Sequence, residues 1–293
     1  NEAAIKLARL HGNKQNIETP TIIVCENSFH GRTMATLTAT GNRKAHAGFE
    51  PLVTGFIRAP FGDSETIAEI CKNNSNVCAI FVEPIQGEGG IRIPSNTYLQ
   101  ELRAICDQHN LILILDEVQT GNGRTGKWFA CHHQQILPDV MTTAKGLGNG
   151  MPIGACLARG AAAELFGPGS HGSTFGGNPL ACATALQVLT TIEEENLLTH
   201  AASMGQLLID TLKQKLNDHS LVKDIRGCGM MIGVELTTAC AAIVDLALEK
   251  KLLINVTADN VIRLLPPLIT NKDEIAMIAN IISECIEDFQ QQL

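Results

Sequence analysis

Residues 111–126 read LILILDEVQTGNGRTG. The aliphatic run Leu111–Leu115 leads straight into Asp116 and Glu117, and glycines follow at Gly121, Gly123 and Gly126. An unbroken apolar run of this kind suits a strand buried on both faces, as in a parallel sheet covered by helices. The glycines spell G-x-G-x-x-G. A dinucleotide fingerprint, however, places its first glycine at the strand end and opens a helix within the motif. Here Asp116 to Thr120 intervene, and Lys127-Trp128-Phe129 continue without a helical pattern. Asp139 lies at about the right distance to be the acidic partner, but it begins an apolar run instead of ending one. The glycines therefore read as a loop, and the carboxylate in front of them becomes the point of interest.

Four further segments share the apolar character of Leu111–Leu115. They are TIIVCE (21–26), VCAIFVEP (77–84), DVMTTAK (139–145) and IGACLAR (153–159). Helical patterns alternate with them, such as Thr97–Gln108, where a Thr97-x-x-Gln100 capping box precedes Leu99, Leu102 and Ile105 on one face. This alternation predicts an α/β fold with a mostly parallel sheet flanked by helices. In such sheets the chemistry gathers at the carboxyl ends of the strands. Glu83, Asp116 and Lys145 all fall there.

Beyond Asn178 the pattern changes. Two long helical stretches, Pro179–Glu195 and Leu197–Leu216, precede the Gly-punctuated IRGCGMMIGVEL, an Ala-rich helix and VIRLLPPL. A final helix opens with Asn271-x-x-Glu274. The expected division is a large domain over 1–195 and a smaller C-terminal α+β domain over 196–293.

With 293 residues, 45% of them hydrophobic, the chain can bury a large core. Its net charge of −8 and the lack of any Lys/Arg cluster argue against nucleic acid as a partner. No apolar run approaches the roughly 18 residues of a membrane helix. The ten cysteines are irregularly spaced without a C-x-x-C pair, which points to reduced thiols and a cytoplasmic location. Cys131-His132-His133 are adjacent and cannot easily converge on one ion, so no metal site is expected. The opening NEAAIKLARLHG lacks Met and is helical from its first residues, with Ile5, Leu7, Ala8 and Leu10 on one side and Gly12 as a C-cap. Its first N–H groups have nothing before them to cap them, so the chain reads as N-terminally truncated.

A charged Asp after five buried aliphatics is costly unless a partner meets it. Taken alone, Asp116 serves equally as a helix cap or an ion-pair partner, and Lys145 as a solvated strand end. Together they match the needs of pyridoxal 5'-phosphate: a lysine to bind the cofactor covalently, and a carboxylate to keep its pyridine nitrogen protonated. Phe29 is a ring-stacking candidate at the same sheet edge.

At these residues the chain resembles the class III (ω-amino) branch of the pyridoxal-phosphate aminotransferases. The matching pieces are NSFHGRT (27–33), VEPIQGEGG (82–90), LDEVQTGNGRTG (115–126), TTAKGLGNGMPIGA (142–155), HGSTFGGNPLAC (171–182), RGCGMMIGVEL (226–236) and IRLLPP (262–267), in family order along the chain. The resemblance implies a fold-type I pyridoxal-phosphate transferase working as a homodimer with shared active sites. It makes Lys145 the cofactor-bearing lysine and proton carrier, and Asp116 the partner of the pyridine nitrogen. Gln119 matches the residue bonding the cofactor's phenolic oxygen, and Phe29 stacks on the ring. His30 has either a cofactor contact or a structural role. Ser173 and Thr174 match a loop that reaches the phosphate of the neighbouring subunit's cofactor. Arg263 is implied to bind the α-carboxylate of glutamate or 2-oxoglutarate, Glu88 to mask it, and Arg32 to anchor the donor's far carboxylate. Glu117 has no matching chemical role and is expected to stabilise the loop by hydrogen bonds.

The implied reaction moves the δ-amine of N-acetylornithine to 2-oxoglutarate. Succinylornithine, ornithine and 4-aminobutyrate are the alternative donors. A nicotinamide oxidoreductase built on Gly121–Gly126 and a non-catalytic binding fragment are the readings from other classes.

Overall fold

The computed structural model describes all 293 residues. Contacts divide them into two compact units. The first comprises Asn1–Gln86, Ile93–Asn122 and Ala130–Leu189; the second comprises Gly87–Arg92, Gly123–Phe129 and Thr190–Leu293.

The first unit is built on a six-stranded sheet. Its strands are β1 (Thr21–Cys25), β2 (Phe56–Ala59), β3 (Val77–Val82), β4 (Ile112–Asp116), β5 (Val140–Thr143) and β6 (Ala155–Ala158), in the order β2-β1-β3-β4-β5-β6. All neighbours are parallel except β6, which returns antiparallel to β5. Every residue of β3 and β4 is buried, as their unbroken apolar runs predict. The Glu2–Lys14 helix packs Ala4, Ile5, Leu7 and Ala8 into the same core as Ile22, Val24, Phe81 and Ile114. The parallel arrangement brings the carboxyl ends of β1, β3, β4 and β5 to one edge, and with them residues 28–30, 83–86, 116–119 and 144–145.

Two local signals turn out differently from the sequence reading. Gly12 does not cap the first helix, which runs on to Lys14; it lies inside, and a Cβ there would come 2.7 Å from Pro20 Cβ and 3.0 Å from Cys78 Cβ. The glycine is required by close packing of helix on strand. The Tyr98–His109 helix carries no side-chain bond from Thr97. Gln134 replaces the capping box, accepting from Leu99 N at 2.9 Å while its carbonyl accepts from Gln100 Nε2 at 2.9 Å.

The second unit contains an antiparallel sheet of β7 (Val222–Cys228), β8 (Met231–Leu236), β9 (Asn255–Thr257) and β10 (Val261–Leu264), ordered β7-β8-β10-β9. Helices Leu197–Lys215 and Lys272–Gln290 supply Leu208, Leu212, Ile282 and Ile286 to its core. The Asn271–Glu274 capping box forms in full, with the Asn271 side chain accepting from Glu274 N and the Glu274 side chain accepting from Asn271 N.

Gly205 shows which effect dominates inside a helix. Helix propensity favours alanine over glycine by about 1 kcal/mol. At Gly205, though, a Cβ would sit 1.9 Å from the Gly229 carbonyl oxygen, which is backbone and cannot rotate away. Gly205→Ala is expected to destabilise the protein by roughly 1–3 kcal/mol or more, read as a lowered denaturation midpoint. A raised midpoint would contradict the packing.

Candidate active site

Asp116 is the last residue of β4, paired in register with Thr142 of β5 and 4% exposed. Its partners are neutral donors and one imidazole. Oδ2 accepts from His30 Nδ1 at 2.9 Å and from Asn1 Nδ2 at 2.8 Å, and Oδ1 accepts from Val118 N at 3.1 Å. With Nδ1 facing a carboxylate, the proton of the neutral imidazole belongs on Nδ1. His30 is itself fixed: its ring stacks on Phe81 with centroids 4.1 Å apart, and its backbone N–H donates to Thr40 Oγ1 at 3.0 Å. Asn1 bridges three strand ends, donating also to His30 O at 2.7 Å and accepting from Thr142 Oγ1 at 2.6 Å. The role of Asn1 is not legible in the sequence, because its partners lie up to 141 residues away.

Lys145 follows β5, is exposed, and has φ at 45°. A lysine in the left-handed region is held there by its surroundings. Asn122 supplies part of the hold, donating from Nδ2 to Thr143 Oγ1 at 2.8 Å and to Ala144 O at 3.2 Å. Phe29 is half-buried at the β1 edge, with its N–H donating to Glu83 Oε2 at 3.2 Å and the Arg32 guanidinium 5.4 Å above its ring. Arg32 is exposed. Gln119 is half-buried, three residues beyond Asp116.

Glu117 is fully buried and accepts from the Thr120 hydroxyl, from Ala130 N at 2.9 Å and from Cys131 N at 2.8 Å. Burial raises its pKa, and these hydrogen bonds oppose the rise. It ties down the glycine loop, the structural role expected of it. That loop continues into a 3-10 turn at Ala130–His133, not into a helix that could cradle a dinucleotide. Ser173 and Thr174 stand apart from this group, exposed in the turn before the Pro179–Glu194 helix.

A cavity of about 740 Å³ opens in the same unit, lined by Asn1, His30, Arg32, Val118, Thr142 and Ala144 among others. Pyridoxal phosphate needs an anionic partner for its ring nitrogen, a nearby lysine and an aromatic face. Asp116 is a buried carboxylate with no Lys or Arg against it, which is the donor chemistry a protonated pyridine nitrogen completes. Lys145 and Phe29 stand at the ends of strands on the same sheet edge. The residues present fit the group.

In the second unit, Arg263 on β10 is 9% exposed and donates from Nη1 to Glu88 Oε1 at 2.7 Å and from Nε to Asn255 Oδ1 at 3.1 Å. In the sequence, only the family resemblance links these two residues, which are 175 positions apart. Arg124 is half-buried in the same unit, donating to the carbonyls of Met230 and Pro266; burial draws its pKa down to about 10.

The family model described as "Aminotransferase class-III" matches residues 1–286. The acetylornithine aminotransferase of Nitrosomonas europaea is 55% identical over 289 residues, covering 99% of this chain and 74% of the relative. Acetylornithine aminotransferase 1 of Bordetella pertussis is 49% identical, covering 100% and 74%. Among solved structures, the ornithine aminotransferase of Toxoplasma gondii superposes with a TM-score of 0.95 at 34% identity, over 100% of this chain and 71% of that one. The acetylornithine aminotransferase of Elizabethkingia anophelis gives 0.84 at 34% identity, over 98% and 71%. With a family match spanning nearly every residue and the lysine, carboxylate and aromatic ring on one sheet edge, the chain belongs to the class III aminotransferases, the pyridoxal-phosphate-dependent transaminases.

Proposed function

We propose that this protein transfers the δ-amino group of N-acetylornithine to 2-oxoglutarate, as a cytoplasmic homodimer with shared active sites. N-acetylornithine gives up its amine and leaves as the semialdehyde; 2-oxoglutarate then takes the amine and leaves as glutamate. The names of its relatives, 44–55% identical, support the donor. The observation that carries the reading is the Glu88–Arg263 pair, a buried arginine met by a partly exposed carboxylate.

Pyridoxal phosphate supplies an electron sink for the carbon that loses its proton. Asp116 holds the proton on the ring nitrogen, and His30 and Asn1 aim its carboxylate. Phe29 would pack against the cofactor ring and Gln119 would hold its phenolic oxygen. Lys145 would hold the cofactor through its Nζ, and the same amine would serve as the base that takes the proton from the amine-bearing carbon. Ser173 and Thr174 reach the phosphate in the neighbouring subunit. The exposed Phe175, Leu180 and Leu186 beside them (81%, 66% and 66%) are the kind of surface a subunit contact covers.

The two half-reactions impose opposite demands on substrate binding. N-acetylornithine brings a neutral acyl end and one carboxylate, which Arg32 receives. Glutamate and 2-oxoglutarate bring a second carboxylate, which Arg263 receives. Glu88 neutralises Arg263 while the ω-amine donor is bound and moves aside for an α-carboxylate, at the cost of one charge-assisted pair.

Each of the following substitutions has a distinct expected outcome in the holoenzyme. Lys145→Ala abolishes turnover and the borohydride-reducible adduct; a modified peptide containing another lysine would contradict the assignment. Asp116→Ala slows turnover by roughly 10²-fold or more, the scale of one preorganised electrostatic partner, whereas near-wild-type rates would rule out the electron-sink role. With half-reactions followed separately by cofactor absorbance, Glu88→Ala favours glutamate over N-acetylornithine and Arg263→Ala mainly damages the 2-oxoglutarate half. Arg32→Ala weakens N-acetylornithine. Equal losses in both halves for Glu88→Ala and Arg263→Ala would make the pair merely structural.

A further inference from the structure

The loop carrying Glu88 is fastened by its backbone from two sides. Arg226, on β7, donates from Nε to Ile91 O at 2.8 Å and from Nη2 to Gly90 O. Its Nη1 donates to Asp224 Oδ2 at 2.8 Å and to Glu235 Oε2 at 2.7 Å. Across the loop, Thr257 Oγ1 at the end of β9 donates to Glu88 O. Ile91 is fully buried with φ at 49°, a left-handed conformation that a β-branched residue adopts only when its surroundings impose it. Gly90 fits tightly as well, since a Cβ there would come 3.2 Å from Val261 and 3.3 Å from Ala258. Two consecutive carbonyls are thus hooked by one guanidinium, and two carboxylates in turn hold that guanidinium still.

We propose that Arg226 is a positioning residue for the Glu88–Arg263 pair, fixing the backbone so that Glu88 leaves and regains Arg263 by side-chain rotation alone. This rests on the masking role proposed above for Glu88. With Gly90 O and Ile91 O released, Ile91 relaxes toward an unstrained φ and carries Glu88 out of register with Arg263. Arg263 is then open in both half-reactions, and glutamate competes where the ω-amine donor should bind. Lysine cannot substitute for Arg226 here. It keeps the charge facing Asp224 and Glu235, but one ammonium lacks the rigid fork that reaches both carbonyls and both carboxylates at once.

The test is the ratio of kcat/KM for the N-acetylornithine half-reaction to that for glutamate, measured by cofactor absorbance in the holoenzyme. R226K is expected to lower this ratio by roughly tenfold, the scale of losing one charge-assisted hydrogen bond. T257V, which leaves the guanidinium in place, should lower it by about threefold. E88A lowers the same ratio, and adding R226K to E88A moves it no further, because Arg226 acts through Glu88. A general structural defect would depress both half-reactions together and would add to E88A. If E88A leaves the ratio unchanged, the masking role fails and the positioning role of Arg226 fails with it. If E88A shifts the ratio while R226K and T257V do not, or if E88A/R226K falls by the product of the single effects, the Arg226 inference is overturned and the masking role stands. Should R226K fail to fold, T257V and its combination with E88A decide the matter.

Discussion

A carboxylate buried at the end of a fully buried strand is the constraint from which this site is built. Asp116 lies in surroundings where an isolated charge costs several kcal/mol, and it receives only an imidazole N–H, an amide N–H and a backbone N–H. Those bonds fix its direction. In the function proposed above a protonated ring nitrogen completes the charge; His30 and Asn1 hold Oδ2 in place, and Thr142 in turn holds Asn1. The fold follows the same requirement: parallel strands bring residues 29, 30, 116 and 145 to one edge although they are far apart in sequence.

Much of this is legible in the chain itself. The unbroken aliphatic runs identify β3 and β4 because burial on both faces leaves no room for alternation. The polar residues that end them mark the sheet edge, and Glu117 has the structural role expected of it. What the sequence does not reveal depends on distant packing. Gly12 looks like a helix terminus, but its reason is Pro20 and Cys78 against the helix. Thr97 and Gln100 have the spacing of a capping box, yet Gln134 takes over the helix start from a distance of 35 residues in sequence. His30 reads as either a cofactor contact or a structural residue. Its bond to Asp116 makes it a support for the carboxylate, and only the three-dimensional placement of residue 30 beside residue 116 shows that.

The second unit solves a different electrostatic problem. Arg263 is buried enough to bind a carboxylate strongly and would be a liability if it stayed open. Glu88 answers it at 2.7 Å while its own side chain remains 39% exposed, so one member of the pair is anchored and the other has room to move. The left-handed φ of Ile91 and the double hook of Arg226 fit the proposed masking role, in which the Glu88 side chain turns on a backbone that stays put.

If Asp116 holds the cofactor's ring nitrogen protonated, the nitrogen itself reports on it. In the holoenzyme loaded with ¹⁵N-labelled pyridoxal phosphate, the ring-nitrogen NMR shift should be that of a protonated pyridine at neutral pH. It should stay so well above the pH at which a free pyridine nitrogen loses its proton. A shift characteristic of unprotonated pyridine at neutral pH would mean that the buried carboxylate serves another purpose.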